Sequence, residues 1–378
     1  MSAATSLDRR FMAAAIRLGR RHLGRTAPNP SVGALVVANG PDGPRVVGRG
    51  VTALGGRPHA EPQALAEAGA AARGATLYVT LEPCSHHGRT PPCTDAITAA
   101  GITRVVVALG DPDPRVAGHG FAVLRGAGIE VVEGVEAEAA REGLAGHLSR
   151  VVRGRPWVLL KLAVSADRML GRRDEANVAV TGRIARARAQ VMRAEADAVL
   201  VGIGTAAIDD PELTVRLPGM TSSSPVRIVL DGAARLSPRS RLARSALDVP
   251  VRLLVGERAE GERRRVLAAL GVDIVPIPEG EDGRIDPEAA LARLAADGIG
   301  TLMVEGGAEV ARSLVGRGLV DEIALFDGDV HIGTGGLPLP PEIEAALRPA
   351  AGRFAIVGRE SVGPDRLTLH RRLDPPGF

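Results

Sequence analysis

The chain is poor in aromatic residues, cysteine and lysine, and it lacks long apolar segments. Aromatic residues make up 2% of its 378 residues, too few for the stacking platform on which single-stranded nucleic acids bind. Its two cysteines cannot build a disulfide framework, and reduced thiols favour the cytoplasm. No uncharged apolar run reaches about 18 residues, so we expect no membrane-spanning helix.

The charge balance argues against a nucleic acid partner. The formal net charge is +3, the arginines are scattered along the chain, and Lys161 is the only lysine. The basic N-terminal segment around Arg9 and Arg17 has apolar residues at helical spacing and no cleavage-site pattern. We therefore expect a helix there and not a targeting peptide.

Strand-like and helical stretches alternate along the chain, with a compositional break near residues 150–156. Before the break, strands at 34–37, 76–81 and 105–108 predict an α/β/α sandwich. After it, strands at 157–164, 198–201, 226–230, 251–255, 274–277, 301–304 and 322–326 predict a second α/β domain with a largely parallel sheet. The predicted domains are residues 1–149 and 156–378.

Three potential metal ligands, with a carboxylate beside the first, dominate the first domain. An imidazole and two thiolates, from His59, Cys84 and Cys93, can fill three positions of a tetrahedral zinc ion and leave the fourth to water. Hydrolytic deamination of a nucleobase-like ring also needs a carboxyl group that takes a proton from water and returns it to the leaving amine. Glu61 is the candidate for that role.

The segment between the two cysteines suits a phosphate group. Its eight residues, SHHGRTPP, are basic and rich in hydrogen-bond donors. The alternative is a structural zinc site in which His86 or His87 supplies a fourth ligand. In that case no position for water would remain.

Three segments of the first domain resemble the deaminase half of the bifunctional riboflavin-biosynthesis deaminase/reductase family. They are residues 27–33 (APNPSVG), 59–61 (HAE) and 80–93 (TLEPCSHHGRTPPC). The resemblance implies a cytidine-deaminase-like fold and deamination of a diaminopyrimidinone that carries a ribosylamino 5'-phosphate. It also implies that Asn29, His86 and Arg89 bind this substrate; the alternative for Asn29 is a turn residue between two prolines.

Two strands of the second domain run into glycine turns, at residues 201–205 (VGIGT) and 304–310 (VEGGAEV). Such turns expose backbone N–H groups that attract phosphate, but glycines also end strands for conformational reasons alone. The strict dinucleotide fingerprint is absent at Gly202, because Ala207 occupies the third glycine position. Neither turn is diagnostic by itself.

Together with residues 161–167 (KLAVSAD) and 209–216 (DDPELTVR), these turns resemble the reductase half of the same family, which is similar to dihydrofolate reductase in fold. The resemblance implies NADPH-dependent reduction of the opened ribose to a ribityl chain, with Asp209 near the reacting carbon. Arg193 and Arg216 would clamp the substrate phosphate, and Glu305 would bind the pyrimidine. The implied substrate contacts are Asn177, Arg193, Leu213, Arg216 and Glu305. The implied cofactor contacts are Ala163, Ala179, Thr205, Asp209, Gly307, Ala308, Glu309, Val310, Ala311, Arg312 and Ser313. Asp209 could instead only cap a turn, and lone arginines are commonly solvated surface.

Two positions depart from the family pattern in the reductase half. Arg168 stands where the family usually has glycine, and arginine is strained there if the position needs a positive φ. Ala179 stands where many members carry tryptophan, and the resemblance implies that an aromatic contact to the cofactor would be lost.

The sequence therefore predicts a cytoplasmic enzyme, a zinc-dependent deaminase joined to an NADPH-dependent reductase, that makes two successive steps of riboflavin biosynthesis. We expect a small phosphoribosyl-pyrimidine substrate, no nucleic acid or membrane partner, and, on the resemblance alone, a homodimer or larger assembly. The alternative is a single-function deaminase whose second domain only binds nucleotide or dimerises. A tRNA or free-base deaminase is disfavoured by the phosphate-suited loop.

Overall fold

The structure is a computed structural model that describes residues 4–173, 175–348 and 353–373. Its backbone contacts divide it into two compact units, Met1–Gly154 and Arg155–Phe378, each with its own hydrophobic core. The end of the predicted second domain, 374–378, lies outside the described residues. Across the described ranges, no helix is both long enough and apolar enough to cross a membrane.

The first unit is built on a five-stranded sheet. Its strands are β1 (Gly33–Gly40), β2 (Gly43–Val51), β3 (Thr76–Leu81), β4 (Arg104–Leu109) and β5 (Glu130–Val132). Its helices are α1 (Ser6–Gly19), α2 (Ala60–Ala68), α3 (Cys93–Ala99), α4 (His119–Gly126) and α5 (Ala137–Arg153). The strand order is β2-β1-β3-β4-β5, in which β1 is antiparallel to both neighbours and β3, β4 and β5 are parallel. Helix α1 packs beside α5, and α2 packs beside α3.

The predicted N-terminal helix is confirmed as α1. A capping box of Thr5 and Asp8 begins it. The buried Asp8 carboxylate also accepts hydrogen bonds from the Tyr78 hydroxyl at 2.9 Å and from Arg104 at 2.7 Å. These bonds tie the start of the helix to strands β3 and β4.

Helix α2 lies directly against strand β2, and this contact fixes the start of the helix. A Cβ atom at Gly50 would come within 1.9 Å of the Ala60 carbonyl oxygen, and one at Gly48 within 2.0 Å of the Ala64 carbonyl oxygen. Any side chain at these positions would overlap the helix backbone, so the close approach requires glycine.

The second unit is built on a nine-stranded sheet with a separate two-stranded ribbon. Its strands are β6 (Trp157–Val164), β7 (Met169–Arg172), β8 (Ala198–Gly202), β9 (Val226–Leu230), β10 (Val251–Gly256), β11 (Asp273–Ile277), β12 (Thr301–Glu305), β13 (Glu322–Asp327), β14 (Gly336–Pro338), β15 (Phe354–Val362) and β16 (Asp365–Arg372). Its helices are α6 (Arg183–Ala194), α7 (Ile203–Asp209), α8 (Arg241–Arg244), α9 (Gly261–Ala269), α10 (Pro287–Ala296), α11 (Ala308–Gly316) and α12 (Pro341–Leu347).

The large sheet has the order β11-β10-β9-β8-β12-β6-β13-β16-β15, and β7 pairs with β14. Strands β11 to β13 in this order are parallel, whereas β16 and β15 are antiparallel, so the predicted largely parallel sheet is confirmed. Strand β12 lies between β8 and β6, where the direction of chain order reverses. In open α/β sheets, ligands bind at the carboxyl ends of the strands near such a reversal.

Candidate active sites

Three metal-ligand side chains converge beyond the carboxyl end of β3. His59 is the N-cap residue of α2, Cys84 follows β3, and Cys93 is the first residue of α3. The Nδ1 atom of His59 lies 3.7 Å from Sγ of Cys84 and 3.4 Å from Sγ of Cys93. A tetrahedral zinc ion with ordinary Zn–N and Zn–S bonds separates such atoms by about 3.6 Å. The donor set and its spacing therefore fit zinc.

The cluster offers three protein ligands. Within the described residues it consists of His59, Cys84 and Cys93, and neither His86 nor His87 joins it. A closed structural site would need a fourth protein ligand, which this part of the chain does not supply. Three ligands with a fourth position left for water or substrate are the arrangement of catalytic zinc.

Glu61 lies beside this cluster in the first turn of α2, and its side chain is 4% exposed. Burial and the charge of Cys84 raise the pKa of Glu61. Hydrogen bonds from the Cys93 thiol and from His59 lower the pKa of Cys84 to about 4, while the pKa of the donating Cys93 thiol is raised. The pocket thus already stabilises one thiolate, the form that binds zinc.

Glu82 connects the end of β3 with the loops around the cluster. The side chain is 4% exposed and lies two residues before the first cysteine ligand. Its Oε2 atom accepts hydrogen bonds from the backbone N–H groups of Asp111 at 3.2 Å and Gly118 at 3.1 Å. Its Oε1 atom accepts from Gly120 at 2.9 Å and Phe121 at 3.4 Å. One carboxylate therefore holds the end of β3, the loop after β4 and the start of α4 together.

Asn29 lies in a turn that is bonded to the segment before α2. Its Nδ2 atom donates to the Gly56 carbonyl oxygen at 2.8 Å, and the Thr26 hydroxyl donates to the Asn29 carbonyl oxygen at 2.8 Å. Asn29 can therefore be both a turn residue and a substrate ligand. The two bonds orient its side-chain amide, and the Oδ1 acceptor has no partner among the described residues.

The other two substrate candidates of the first unit lie on the loop of residues 85–92. His86 is half-buried, and its Nδ1 atom is buried without a hydrogen-bond partner in the described part of the chain. Arg89 is exposed. Buried polar atoms without a partner are rare and costly, so a ligand that bonds to His86 would remove that cost.

The two predicted glycine turns of the second unit meet at the centre of its sheet. Strands β8 and β12 are parallel neighbours, with Val304 paired to Leu200. Gly307 has a φ of +77°, and a Cβ atom there would lie 3.3 Å from Oγ1 of Thr205 on the other turn. Gly307 is also the N-cap residue of α11, so this turn presents backbone N–H groups to an anion.

A cavity of about 2050 Å³ opens at these turns and gathers most of the predicted reductase residues. The candidates that line it are Ala163, Asn177, Ala179, Arg193, Thr205, Asp209, Leu213, Arg216, Glu305, Gly307, Ala308, Glu309, Val310, Arg312 and Ser313. Ala311 does not line it, because its side chain is fully buried in the core. Pockets for a single small ligand occupy roughly 300–1,000 Å³, so this cavity has room for a dinucleotide and a sugar phosphate.

Arg193 and Glu305 form a buried ion pair in this cavity. The guanidinium Nε donates to Oε1 of Glu305 at 2.6 Å, and Nη1 donates to the Thr214 carbonyl oxygen at 2.6 Å. Burial acts to raise the pKa of Glu305, but the charge and hydrogen bond of Arg193, together with the charges of Lys161 and Arg216, outweigh it and lower that pKa. Arg193 therefore binds Glu305 in this structure. Its contact with the substrate phosphate stays a prediction.

Lys161 is the functional candidate that the sequence reasoning missed. It lies on β6 beside Glu305 of β12 and lines the same cavity. Burial lowers the pKa of Lys161, although the charge of Glu305 opposes this. One signal could have found this residue, because it is the only lysine in a chain that otherwise uses arginine.

Two other predicted residues of the cavity bond to each other. The backbone N–H of Asn177 donates to Oδ1 of Asp209 at 2.9 Å, and its side-chain Nδ2 donates to the Asp209 carbonyl oxygen at 3.2 Å. Asp209 is the last residue of α7. Leu213 is 4% exposed, whereas Arg216 is largely exposed and pairs with Glu212 at 3.0 Å.

The departure at Arg168 has a backbone consequence. This residue has a φ of +65°, in the left-handed region where L side chains are disfavoured. Its side chain pairs with Asp327 at 3.2 Å. The position thus uses the conformation that glycine adopts most easily.

Comparison with known proteins covers both units. A family model described as the cytidine and deoxycytidylate deaminase zinc-binding region matches residues 5–109, and one described as the RibD C-terminal domain matches residues 156–351. The chain is 41% identical over 329 residues to the riboflavin biosynthesis protein RibD of Aquifex aeolicus (strain VF5). The matched residues cover 87% of this chain and 89% of that protein. It is 37% identical over 377 residues to the RibD of Escherichia coli (strain K12), with coverage of 96% and 98%.

Solved structures of similar proteins also match both units of the chain. The chain is similar to a diaminohydroxyphosphoribosylaminopyrimidine deaminase/5-amino-6-(5-phosphoribosylamino)uracil reductase of Thermotoga maritima, with a TM-score of 0.81, 32% identity and coverage of 97% of this chain and 99% of that one. It is also similar to a RibD of Acinetobacter baumannii, with a TM-score of 0.83, 34% identity and coverage of 97% and 98%. The predicted fold class, a deaminase-like unit followed by a reductase-like unit, is confirmed.

Proposed function

The chain belongs to the bifunctional riboflavin-biosynthesis deaminase/reductase family, and on that premise we propose how its two sites divide the work. It is an enzyme of riboflavin biosynthesis with a zinc-binding deaminase domain and a reductase domain. We propose that the first unit deaminates a diaminopyrimidinone that carries a ribosylamino 5'-phosphate. The second unit then reduces the ribosyl group to a ribityl chain with NADPH. The three-ligand cluster beside the buried Glu61 carries this proposal.

In the deaminase, His59, Cys84 and Cys93 would hold the zinc ion. When bound, zinc lowers the pKa of a water molecule to about 7 and so supplies a nucleophile at neutral pH. Glu61 accepts a proton as the water oxygen bonds to the ring carbon, and it delivers that proton to the amino nitrogen. The C–N bond then breaks and ammonia leaves, and the ring carbon becomes a carbonyl as the proton of its new hydroxyl group passes to the adjacent ring nitrogen. Asn29 orients the ring through its side-chain amide.

The test of this assignment is the Glu61→Gln variant. Glutamine keeps the size of the side chain but cannot shuttle the proton, so ammonia release should fall about 10²- to 10⁴-fold. Zinc content should stay at the wild-type level, because Glu61 is not a ligand of the cluster. The matched control is Glu67→Gln, on the same helix but exposed and paired with Arg49. Undiminished ammonia release from Glu61→Gln would remove Glu61 from the mechanism.

In the reductase, the turn at Gly307 and the first turn of α11 would hold the phosphates of NADPH, with Thr205 beside them. NADPH, when bound, supplies a hydride to the sugar carbon. Asp209 lies in the same cavity and would be near the reacting carbon and the nicotinamide ring. Glu305 would bind the pyrimidine, and Lys161 adds a hydrogen-bond donor on the neighbouring strand. Arg216, exposed at the cavity, would bind the substrate phosphate.

The reductase assignment is tested with the deaminated intermediate and each of the two coenzymes. Loss of the absorbance of the reduced nicotinamide should be seen with NADPH and be much weaker with NADH. Intact ammonia release without oxidation of either coenzyme would support the single-function alternative. Faster oxidation of NADH would correct the coenzyme.

We further propose a cytoplasmic homodimer or larger assembly formed through the second unit. Strand β15 lies at the edge of the large sheet, and it exposes Ile356 and Val357 by 44% and 48%. An edge strand with exposed apolar residues is a ready site for pairing with another chain. Sedimentation of a monomer at micromolar concentration would contradict the assembly.

A further inference from the structure

Arg57 crosses from the segment before α2 to the loop between the two cysteine ligands. It lies two residues ahead of His59 and belongs to none of the motifs that the sequence analysis singled out. Its Nη1 atom donates to Oγ1 of Thr90 on that loop. Its Nη2 atom lies 3.3 Å from the point where a Cβ atom would sit at Gly88. The guanidinium group therefore packs on the loop backbone, and Gly88 leaves it room.

This loop gathers positive charge without a neutralising side chain. Arg89 stands between Gly88 and Thr90, the two residues that Arg57 contacts. Within the described ranges, neither Arg57 nor Arg89 forms an ion pair with a carboxylate, whereas Arg49 of the same unit pairs with Glu67. The guanidinium group of Arg57 thus lies against the loop that carries Arg89, and an anion bound there would offset the repulsion between the two positive charges.

We propose that Arg57 is a second guanidinium of the deaminase phosphate site and binds the 5'-phosphate of the substrate together with Arg89. This inference rests on the proposed function, in which a phosphorylated substrate lies at this loop. The two arginines come from different segments of the chain, one before the first zinc ligand and one between the cysteines. The hydrogen bond to Thr90 holds Arg57 in place, and its other N–H groups can bond to phosphate oxygens.

The test compares the phosphorylated substrate with its dephosphorylated counterpart. Arg57→Ala should lower kcat/KM for ammonia release from the phosphorylated substrate by about 10- to 100-fold, as expected for loss of a hydrogen bond between charged groups. The loss with the dephosphorylated substrate should be below about threefold. Arg57→Lys should recover part of the difference, because it keeps the charge but not the fork of donors.

Two further variants guard the comparison. Arg57→Gln removes the positive charge but keeps a hydrogen-bond donor for Thr90, so it tests the charge apart from the support of the loop. It should show the same loss of kcat/KM, confined to the phosphorylated substrate. Arg45→Ala removes one charge from an exposed position of β2 in the same unit and should behave as wild type with both substrates. Zinc content is measured for every variant.

An equal loss of kcat/KM on both substrates in the alanine and glutamine variants would mean that Arg57 only supports the loop, and it would overturn the proposal. The proposal would also be overturned if those variants kept the wild-type ratio of kcat/KM between the phosphorylated and dephosphorylated substrates. If the wild-type enzyme itself does not prefer the phosphorylated substrate, the phosphate site of the proposed function fails as well. If the wild type prefers it and the Arg57 variants keep that preference, only the role of Arg57 fails.

Discussion

Substituting Glu82 with glutamine should weaken zinc binding, although this side chain is not a ligand of the metal cluster. The carboxylate accepts hydrogen bonds from four backbone N–H groups, two on each oxygen. Glutamine keeps one acceptor oxygen and turns an NH₂ group toward the other pair of donors. Each buried donor left without a partner costs about 1–3 kcal/mol, so the native arrangement should lose roughly 2–6 kcal/mol. Stabilities of single domains are about 5–15 kcal/mol, so the unit should still fold.

The loss should appear first in the loops that the carboxylate holds. Because Cys84 follows Glu82 by two residues, a looser loop displaces a zinc ligand, and zinc affinity should fall about 10- to 100-fold. Competition with a chromophoric chelator measures that affinity. Hydrogen exchange followed by mass spectrometry should show faster exchange over residues 111–121, where the four amides lie.

Glu67→Gln is the matched control, because Glu67 is an exposed acid of the same unit in a surface ion pair worth about 1 kcal/mol or less. The reasoning fails if Glu82→Gln binds zinc as tightly as this control and its residues 111–121 exchange no faster. It also fails if zinc affinity falls while exchange stays at the control level, since the effect would then not pass through the loops.

Two predictions concern the second unit. Arg193→Ala leaves Glu305 buried without its guanidinium partner, so the unit should lose about 3–5 kcal/mol of stability in thermal or denaturant unfolding, and Arg193→Lys should lose less. An unchanged unfolding midpoint would contradict the stabilising role of this ion pair. Arg168→Gly removes a side chain from a left-handed backbone position and should raise the melting temperature by the equivalent of up to about 1 kcal/mol, whereas Arg172→Gly on the neighbouring ribbon should lower it. A lower melting temperature for Arg168→Gly would mean that its ion pair with Asp327 outweighs the strain.

The zinc cluster was within reach of the sequence because its chemistry is local. The short spacing of His59 and Glu61 and the predicted strand at 76–81 that ends before Cys84 are visible in the sequence, and the structure places the three ligand side chains together. The bonds of Glu82 were out of reach, because its partners lie 29 to 39 residues further along the chain. Only the fold brings them together.

Strand β2 was missed for a physical reason. A half-buried strand is recognised by apolar side chains at every second position. In β2 the two buried positions are Gly48 and Gly50, which carry no side chain because α2 occupies that space. Strand β15 was missed because most of it is exposed at the edge of the sheet. In both strands, packing determined the structure without leaving an apolar pattern.

The reductase cavity shows the limit of reading charged residues one at a time. Arg193 looked like a lone surface arginine or a phosphate clamp, yet it is buried against Glu305. The positive φ at Arg168, in contrast, follows the expectation raised by the glycine that the family usually has there. A backbone requirement belongs to one position, whereas an ion pair depends on a partner more than 100 residues away.

Because Lys161 is the only lysine, the chain offers amine-directed reagents a single ε-amino group, and that group lines the reductase cavity. Its lowered pKa leaves more of it in the neutral, nucleophilic form at a given pH. Acylation or reductive methylation of this ε-amino group, followed on its own peptide by mass spectrometry to separate it from an α-amino group, therefore labels the cavity without mutagenesis. The rate of labelling, with and without coenzyme, reports directly on whether the cavity is occupied.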